Sequence, residues 1–209
     1  MIKTWIADIR PLYEEMCYRR YYNQIPQFRQ EKADKLRLHQ KKAQSVGAWV
    51  LWEQVKQQYH ITEQTIYNLS HSGDYVLCSA DMNGTRAVQV GCDIEQIKTA
   101  HLQVAKRFYC PAEYQQVLAQ DTAEKQNEVF YRFWVLKESF MKATRKGMAL
   151  DPRSFEIQLG NPPQLVKQPD ELEDRYYYRE YELSSIPYKI AVCSTAREIE
   201  PELTVELML

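Results

Sequence analysis

The chain has 209 residues, 44% hydrophobic and 26% charged, enough for one large domain or two small ones with real cores. A formal net charge of −1 argues against nucleic-acid binding by bulk electrostatics, and no apolar run reaches the length of a membrane span. Asp8 falls where a signal peptide would be apolar, and the five cysteines (Cys17, Cys78, Cys92, Cys110, Cys193) are odd in number without a C-x-x-C pair; these features point to a cytoplasmic protein with reduced thiols, and to neither a zinc site nor a disulfide framework.

In chain order, residues 2–9 read as a strand closed by Pro11, and residues 12–25 as a helix broken by Pro26. One longer helix is expected over 31–59, basic at first (Lys32, Lys35, Arg37, Lys41, Lys42) and apolar around Gly47. The basic part suits either a solvated face or a phosphate-facing edge. Residues 65–68 and 75–82 follow as strands.

Residues 88–95 then alternate. Val88, Val90, Cys92 and Ile94 share one face, and Gln89, Gly91, Asp93 and Glu95 the other, with Gly91 leaving open space on the acidic side. Two carboxylates side by side repel unless a cation sits between them, and carboxylate oxygens suit Mg²⁺ or Ca²⁺; the bland alternative is a solvated edge strand. Asn83-Gly84 predicts a type I′ hairpin pairing Met82 with Thr85. That register sets Asp93 opposite Asp74 and Glu95 opposite Ser72. It brings Ser70-His71-Ser72-Gly73 beside the carboxylates and makes His71 a candidate anion contact.

A short helix over 97–109, another from Pro111 with Cys110 at its N-cap, and a polar loop or frayed helix end over 120–127 come next. In the helix expected over 128–145, closed by Gly147, Val129, Phe130, Phe133, Trp134, Leu136, Phe140 and Met141 form one apolar arc. Lys137 falls inside the arc, where it must snorkel, pair with a carboxylate or serve a ligand. Glu138 and Lys142, at i,i+4, read by themselves as a surface pair worth about 0.3–0.5 kcal/mol. Strands over 154–159, 176–183 and 189–194 complete the chain. Leu69-Ser70…Val76-Leu77-Cys78-Ser79 is echoed in Leu183-Ser184…Ala191-Val192-Cys193-Ser194, which suggests a duplicated α+β unit with halves of about 1–98 and 99–209.

Asn68-Leu69-Ser70-His71-Ser72, then Val90-Gly91-Cys92-Asp93-Ile94-Glu95, then Phe133-Trp134-Val135-Leu136-Lys137-Glu138-Ser139-Phe140-Met141-Lys142 together resemble the 4′-phosphopantetheinyl transferases of the Sfp type, in order and in spacing, over about residues 60–195. The resemblance implies an α+β fold of two similar halves forming a pseudo-dimer within one monomeric chain. It implies transfer of the phosphopantetheine arm of coenzyme A to a serine of an acyl, polyketide or peptidyl carrier protein, with Mg²⁺ held by Asp93, Glu95 and Glu138. Ser70, His71, Lys137 and Lys142 would contact coenzyme A phosphates, and Glu138 would take the serine proton, with Asp93 as the alternative base. The sequence departs from the family in lacking a Gly-Lys-Pro segment before Ser70 and in carrying Ala43 where relatives have an arginine; Lys41 and Lys42 stand ready to substitute. The competing expectation is a non-catalytic relative that binds carrier protein or coenzyme A. A Mg²⁺-dependent nucleotide hydrolase would need a Gly-rich phosphate loop that the sequence does not contain.

Overall fold

The computed structural model describes residues 1–62, 64–84, 87–183 and 186–206. Strand β1 (Ile2–Asp8) leads into a 3₁₀ turn at Arg10–Tyr13 and then helices α1 (Glu15–Tyr22), α2 (Gln27–Asp34) and α3 (His39–Gln58). The single helix expected over 31–59 is therefore two. Leu38 stands extended (φ −88°, ψ 133°) ahead of α3. No proline or glycine marks residues 35–38, so the interruption leaves no signal in the sequence. From Ala43 to Trp52 every residue of α3 is buried, because α3 is covered both by a sheet and by α1 and α2.

The remaining elements are β2 (Tyr67–Ser72), β3 (Tyr75–Asp81), β4 (Val90–Gln96), α4 (Leu102–Phe108), α5 (Pro111–Leu118), α6 (Ala123–Ala143), β5 (Glu156–Gln158), β6 (Gln164–Lys167), β7 (Tyr177–Tyr181), β8 (Tyr188–Ser194) and β9 (Thr204–Glu206). The polar stretch over 120–127 is mostly the first turn of α6, whose N-cap Thr122 accepts the Lys125 amide. Cys110 does cap α5, closing a capping box with Glu113. All five cysteines are free, four of them buried.

The fold is α+β. The strands form sheets ordered β2-β3-β1-β9 and β4-β8-β7, with β5-β6 as a separate hairpin. In the first sheet β1 pairs antiparallel with β3, the second strand of the hairpin that follows α3. In the second, β4 pairs antiparallel with β8, the second strand of the antiparallel pair that follows α6. The two sets thus share one connectivity, and the echoed Val76-Leu77-Cys78-Ser79 and Ala191-Val192-Cys193-Ser194 lie in the middle strands β3 and β8. β4, which precedes the expected boundary near 98, pairs with β8 of the second set.

The β3–β4 hairpin is not formed. Thr85 lies outside the described residues, and β3 pairs with β1 and β2 while β4 pairs with β8. Gly84 has φ +63° but Asn83 is not left-handed, and the Gly84 amide donates to the Asp81 carbonyl (3.4 Å), so the turn is not the type I′ that the hairpin required.

Of four hydrophobic clusters among the described residues, one joins α4, α5 and the first part of α6, and three hold the sheets. Trp5, Ala7 and Cys78 pack against α3, and Tyr178 and Cys193 pack against Leu136 and Phe140 of α6. Between the sheets, Ile2, Ile6 and Leu77 of the first meet Val90, Cys92, Ile94, Ile190 and Val192 of the second. The apolar face assigned to residues 88–94 is therefore the face that joins the two sheets.

Candidate active site

The acidic face of β4 lies against α6. Gly91 does not leave open space: a Cβ there would run into the Ser139 carbonyl and the Ala143 amide of the helix backbone. Gly91 is the residue that lets α6 approach β4. Gly91→Ala is expected to cost about 1–3 kcal/mol or more, because backbone must move aside; a thermal melt within experimental error of the unmodified protein would refute this account of the packing.

That approach sets Lys142 over β4. Its ammonium donates to Asp93 Oδ1 (2.6 Å), Ser70 Oγ (2.9 Å) and the Cys92 carbonyl (3.1 Å), and the Ser70 hydroxyl donates to the same Asp93 oxygen (2.8 Å). Asp93 is 3% exposed, and its second oxygen, Oδ2, is buried with no hydrogen-bond partner. Further along β4, Ser72 donates to Glu95 Oε2 (2.6 Å) and accepts from the Gln96 amide (3.2 Å). The expected meeting of Glu95 with Ser72 occurs, but Asp93 meets Ser70 and not Asp74. Asp74 instead accepts from the Tyr13 hydroxyl (2.7 Å).

β2 reaches β4 by side chains and not by a ladder. Asn68 Oδ1 accepts the Cys92 amide (3.0 Å), which anchors the strand so that Ser70 and Ser72 both face the carboxylates. The turn after Ser72 is held by Gln44, which donates to the Gly73 carbonyl (2.8 Å), and by Tyr188, whose hydroxyl accepts the Asp74 amide (3.1 Å). Gly73 has φ +54°, and a Cβ would meet the Tyr188 hydroxyl. Of the supporting residues, Asn68 was named from sequence only as part of a motif, and Gln44 and Tyr188 were not singled out. A polar residue inside a buried stretch of α3 was the one available hint.

Glu138 lies on α6 one turn before Lys142. Burial, and then the charge of Asp93, push its carboxyl above the usual range, against the opposing pull of Lys142; Glu95 adds to the rise. Glu95 is raised in the same way, by burial and then Asp93. Desolvation draws the Lys142 ammonium down, but Asp93 outweighs it and the group is held above its ordinary value. The site thus carries three mutually repelling carboxylates and one lysine. Among the described residues no group of three His, Cys, Asp or Glu side chains stands ready to hold a metal, and Lys142 takes the near oxygen of Asp93.

His71 lies on β2 with its side chain exposed, between Ser70 and Ser72. Desolvation, then the charges of Lys41, Lys142 and Lys32, pull its imidazole down to about 4. The ring is accessible, so the lysines are the part of that shift that will persist in solution. Chemical-shift titration of the His71 ring is expected to show a midpoint well below the usual 6.5, and an ordinary midpoint would remove the lysines from its surroundings. The folded state then resists protonation while the unfolded state does not, so falling pH between the two values costs stability through this residue. Lys41 also acts on Glu95 and so belongs to the site's surroundings, whereas Lys42, on the next position of α3, acts on Glu15.

Lys137 does not face the site. Its side chain is 3% exposed and its ammonium pairs with Glu113 (2.9 Å), donates to the carbonyls of Pro152 (2.8 Å) and Phe155 (3.0 Å), and lies over the Phe155 ring. The assignment of Lys137 to a phosphate is corrected on this geometry. Of the three options for a lysine in the apolar arc, pairing with a carboxylate is the one realised, and Glu113 is the partner that the sequence did not disclose.

The family model of the 4′-phosphopantetheinyl transferase superfamily matches residues 89–193, which contain β4 and α6. The chain is 36% identical over 138 residues to 4′-phosphopantetheinyl transferase Sfp of Bacillus subtilis, covering 66% of this chain and 58% of that one. It is 38% identical over 146 residues to 4′-phosphopantetheinyl transferase psf-1 of Bacillus pumilus, covering 68% and 60%. It therefore spans somewhat under two thirds of those relatives' lengths. Among solved structures, holo-[acyl-carrier-protein] synthase of Thermotoga maritima is similar at 19% identity and a TM-score of 0.43, covering 51% of this chain and 61% of that one. An ACPS–CoA complex from Chronobacterium ammoniagenes is similar at 16% identity and a TM-score of 0.41, covering 52% and 96%.

Proposed function

The chain belongs to the 4′-phosphopantetheinyl transferase superfamily, and on that premise we propose that it transfers the 4′-phosphopantetheine arm of coenzyme A to a serine of an apo acyl, polyketide or peptidyl carrier protein, releasing 3′,5′-ADP. The observation that carries this reading is the convergence of Ser70, Asp93 and Lys142, with Glu138 one turn away, inside or facing the segment the family model matches.

Phosphoryl transfer asks a protein mainly for positioning and charge neutralisation. The serine oxygen of the carrier forms the new bond to phosphorus as the bond to 3′,5′-ADP breaks. Glu138, one turn before Lys142 on α6, takes the serine proton. Lys142, with Ser70 beside it, supplies cation and hydroxyl for phosphate oxygens, and Lys41 extends the positive side toward His71. The donor set fits a divalent cation: Asp93 Oδ2 is buried without a partner, and Asp93 raises both Glu95 and Glu138, a repulsion that Mg²⁺ would relieve. Held by Asp93, Glu95 and Glu138, Mg²⁺ would supply neutralisation of the coenzyme A diphosphate.

In this reading the two sets of like connectivity are a duplicated unit, which supports a protein that works as a monomer. The free cysteines support a reducing, cytoplasmic setting. No helix among the described residues is long and apolar enough to cross a membrane.

The test is intact-mass analysis of several apo carrier proteins incubated with the protein, coenzyme A and Mg²⁺. A carrier should gain one phosphopantetheine mass, lose that gain with chelator, and gain little with Lys142→Ala. No gain on any carrier, with coenzyme A still bound, would replace transfer with the binding-only reading.

A further inference from the structure

β7 is separated from β4 by β8, so its outer edge lies away from the acidic site. Along that edge runs a cavity of about 640 Å³, within the roughly 300–1,000 Å³ of small-molecule sites, between β7, the β5–β6 hairpin and the segment after β8. Three arginines line it: Arg175, Arg179 and Arg197. None forms an ion pair with a carboxylate among the described residues, and Arg179 Nε is buried with no hydrogen-bond partner.

An arginine donor buried without an acceptor is costly, and three guanidinium groups around one cavity repel. Arg132, by contrast, makes a two-pronged pair with Glu180 on the same strand β7, while Arg29 Nε on α2 is, like Arg179 Nε, buried without a partner. Two carboxylates, Glu173 and Asp174, also line the cavity, but Asp174 accepts from Gln89 (3.1 Å), and neither pairs with an arginine. Arg175 lies over the Tyr177 ring (5.4 Å), which leaves the edge of its fork available for an acceptor.

We propose that this cavity is a second binding site, for a phosphorylated small molecule of nucleotide size, in which Arg179 and Arg197 take the phosphate oxygens. Guanidinium forks match phosphate in bidentate geometry. The Tyr177 ring beside them offers an apolar surface for the rest of the ligand. The site is distinct from the one built on β4 and α6 and does not depend on the transfer reaction.

The probe is inorganic pyrophosphate in magnesium-free buffer, followed by isothermal titration on the full chain. The unmodified protein should bind it. Lys142→Ala, which removes the phosphate contact of the β4–α6 site, should retain binding at the arginine cavity, whereas Arg197→Ala and Arg179→Lys should each weaken that binding about tenfold or more. Arg197 is exposed, so its replacement leaves the fold intact and decides the matter even where Arg179 variants do not fold. Absence of binding by the unmodified chain, or binding that Arg197→Ala leaves unchanged, overturns the proposal; loss in Lys142→Ala alone assigns the anion to the β4–α6 site.

Discussion

Glu138→Gln is expected to lower the rate of transfer about 10²–10⁴-fold, the usual worth of a positioned general base. The amide keeps the size and hydrogen-bonding reach of the side chain but cannot accept the serine proton. The residue is half-buried and forms no hydrogen bond or ion pair of its own among the described residues, so the fold should be unaffected. The effect should fall on turnover more than on the concentration of carrier needed for half-maximal rate. A variant that kept more than a tenth of the turnover under saturating coenzyme A, carrier and Mg²⁺ would transfer the role of base to Asp93.

Glu113→Ala is expected to destabilise the fold by about 3–5 kcal/mol, the cost of leaving one partner of a buried ion pair alone. For a chain of this size that is a fall of roughly 6–20 °C in melting temperature. The magnitude follows from how much one carboxylate holds. Its Oε2 accepts both the Cys110 amide (2.8 Å) and the Lys137 ammonium (2.9 Å), and its Oε1 accepts the Ile157 amide (2.9 Å). The start of α5, the middle of α6 and β5 are thereby tied at one point. Without it, Lys137 keeps only carbonyl acceptors. Replacing both partners, as in Glu113→Leu with Lys137→Met, should recover much of the loss. A loss under 1 kcal/mol in the single variant would show that Lys137 finds water or another anion.

The site was legible in the sequence where type and spacing both constrain it. The alternation over residues 88–95 gave the acidic face of β4 and the apolar face between the sheets, and the apolar arc of α6 gave the buried side on which Lys137 lies. Ser70 and Ser72 were brought to the carboxylates correctly but by a hairpin that does not exist. A two-residue turn signal is local, and β3 finds better partners in β1 and β2. Lys137 shows the reverse. Its misplacement in the arc was visible, while its partner Glu113 sits at the third position of another helix, where it also completes the cap. The interruption at residues 35–38 and the short strands β6 and β9 left no trace, because neither turn chemistry nor a long alternation marks them.

β1 lies between β3 and β9, and the register sets Trp5 beside both Cys78 and Thr204. The first sheet therefore draws together segments from early and very late in the chain. During synthesis, β1 must wait for β3 and then for the whole of the second unit before its far edge is covered. Until then its hydrogen-bonding groups are open to any other extended chain. Contacts of such long sequence separation slow folding and prolong that exposure. The order in which the ribosome delivers the strands thus makes the early, half-built first sheet the species most in need of protection from aggregation.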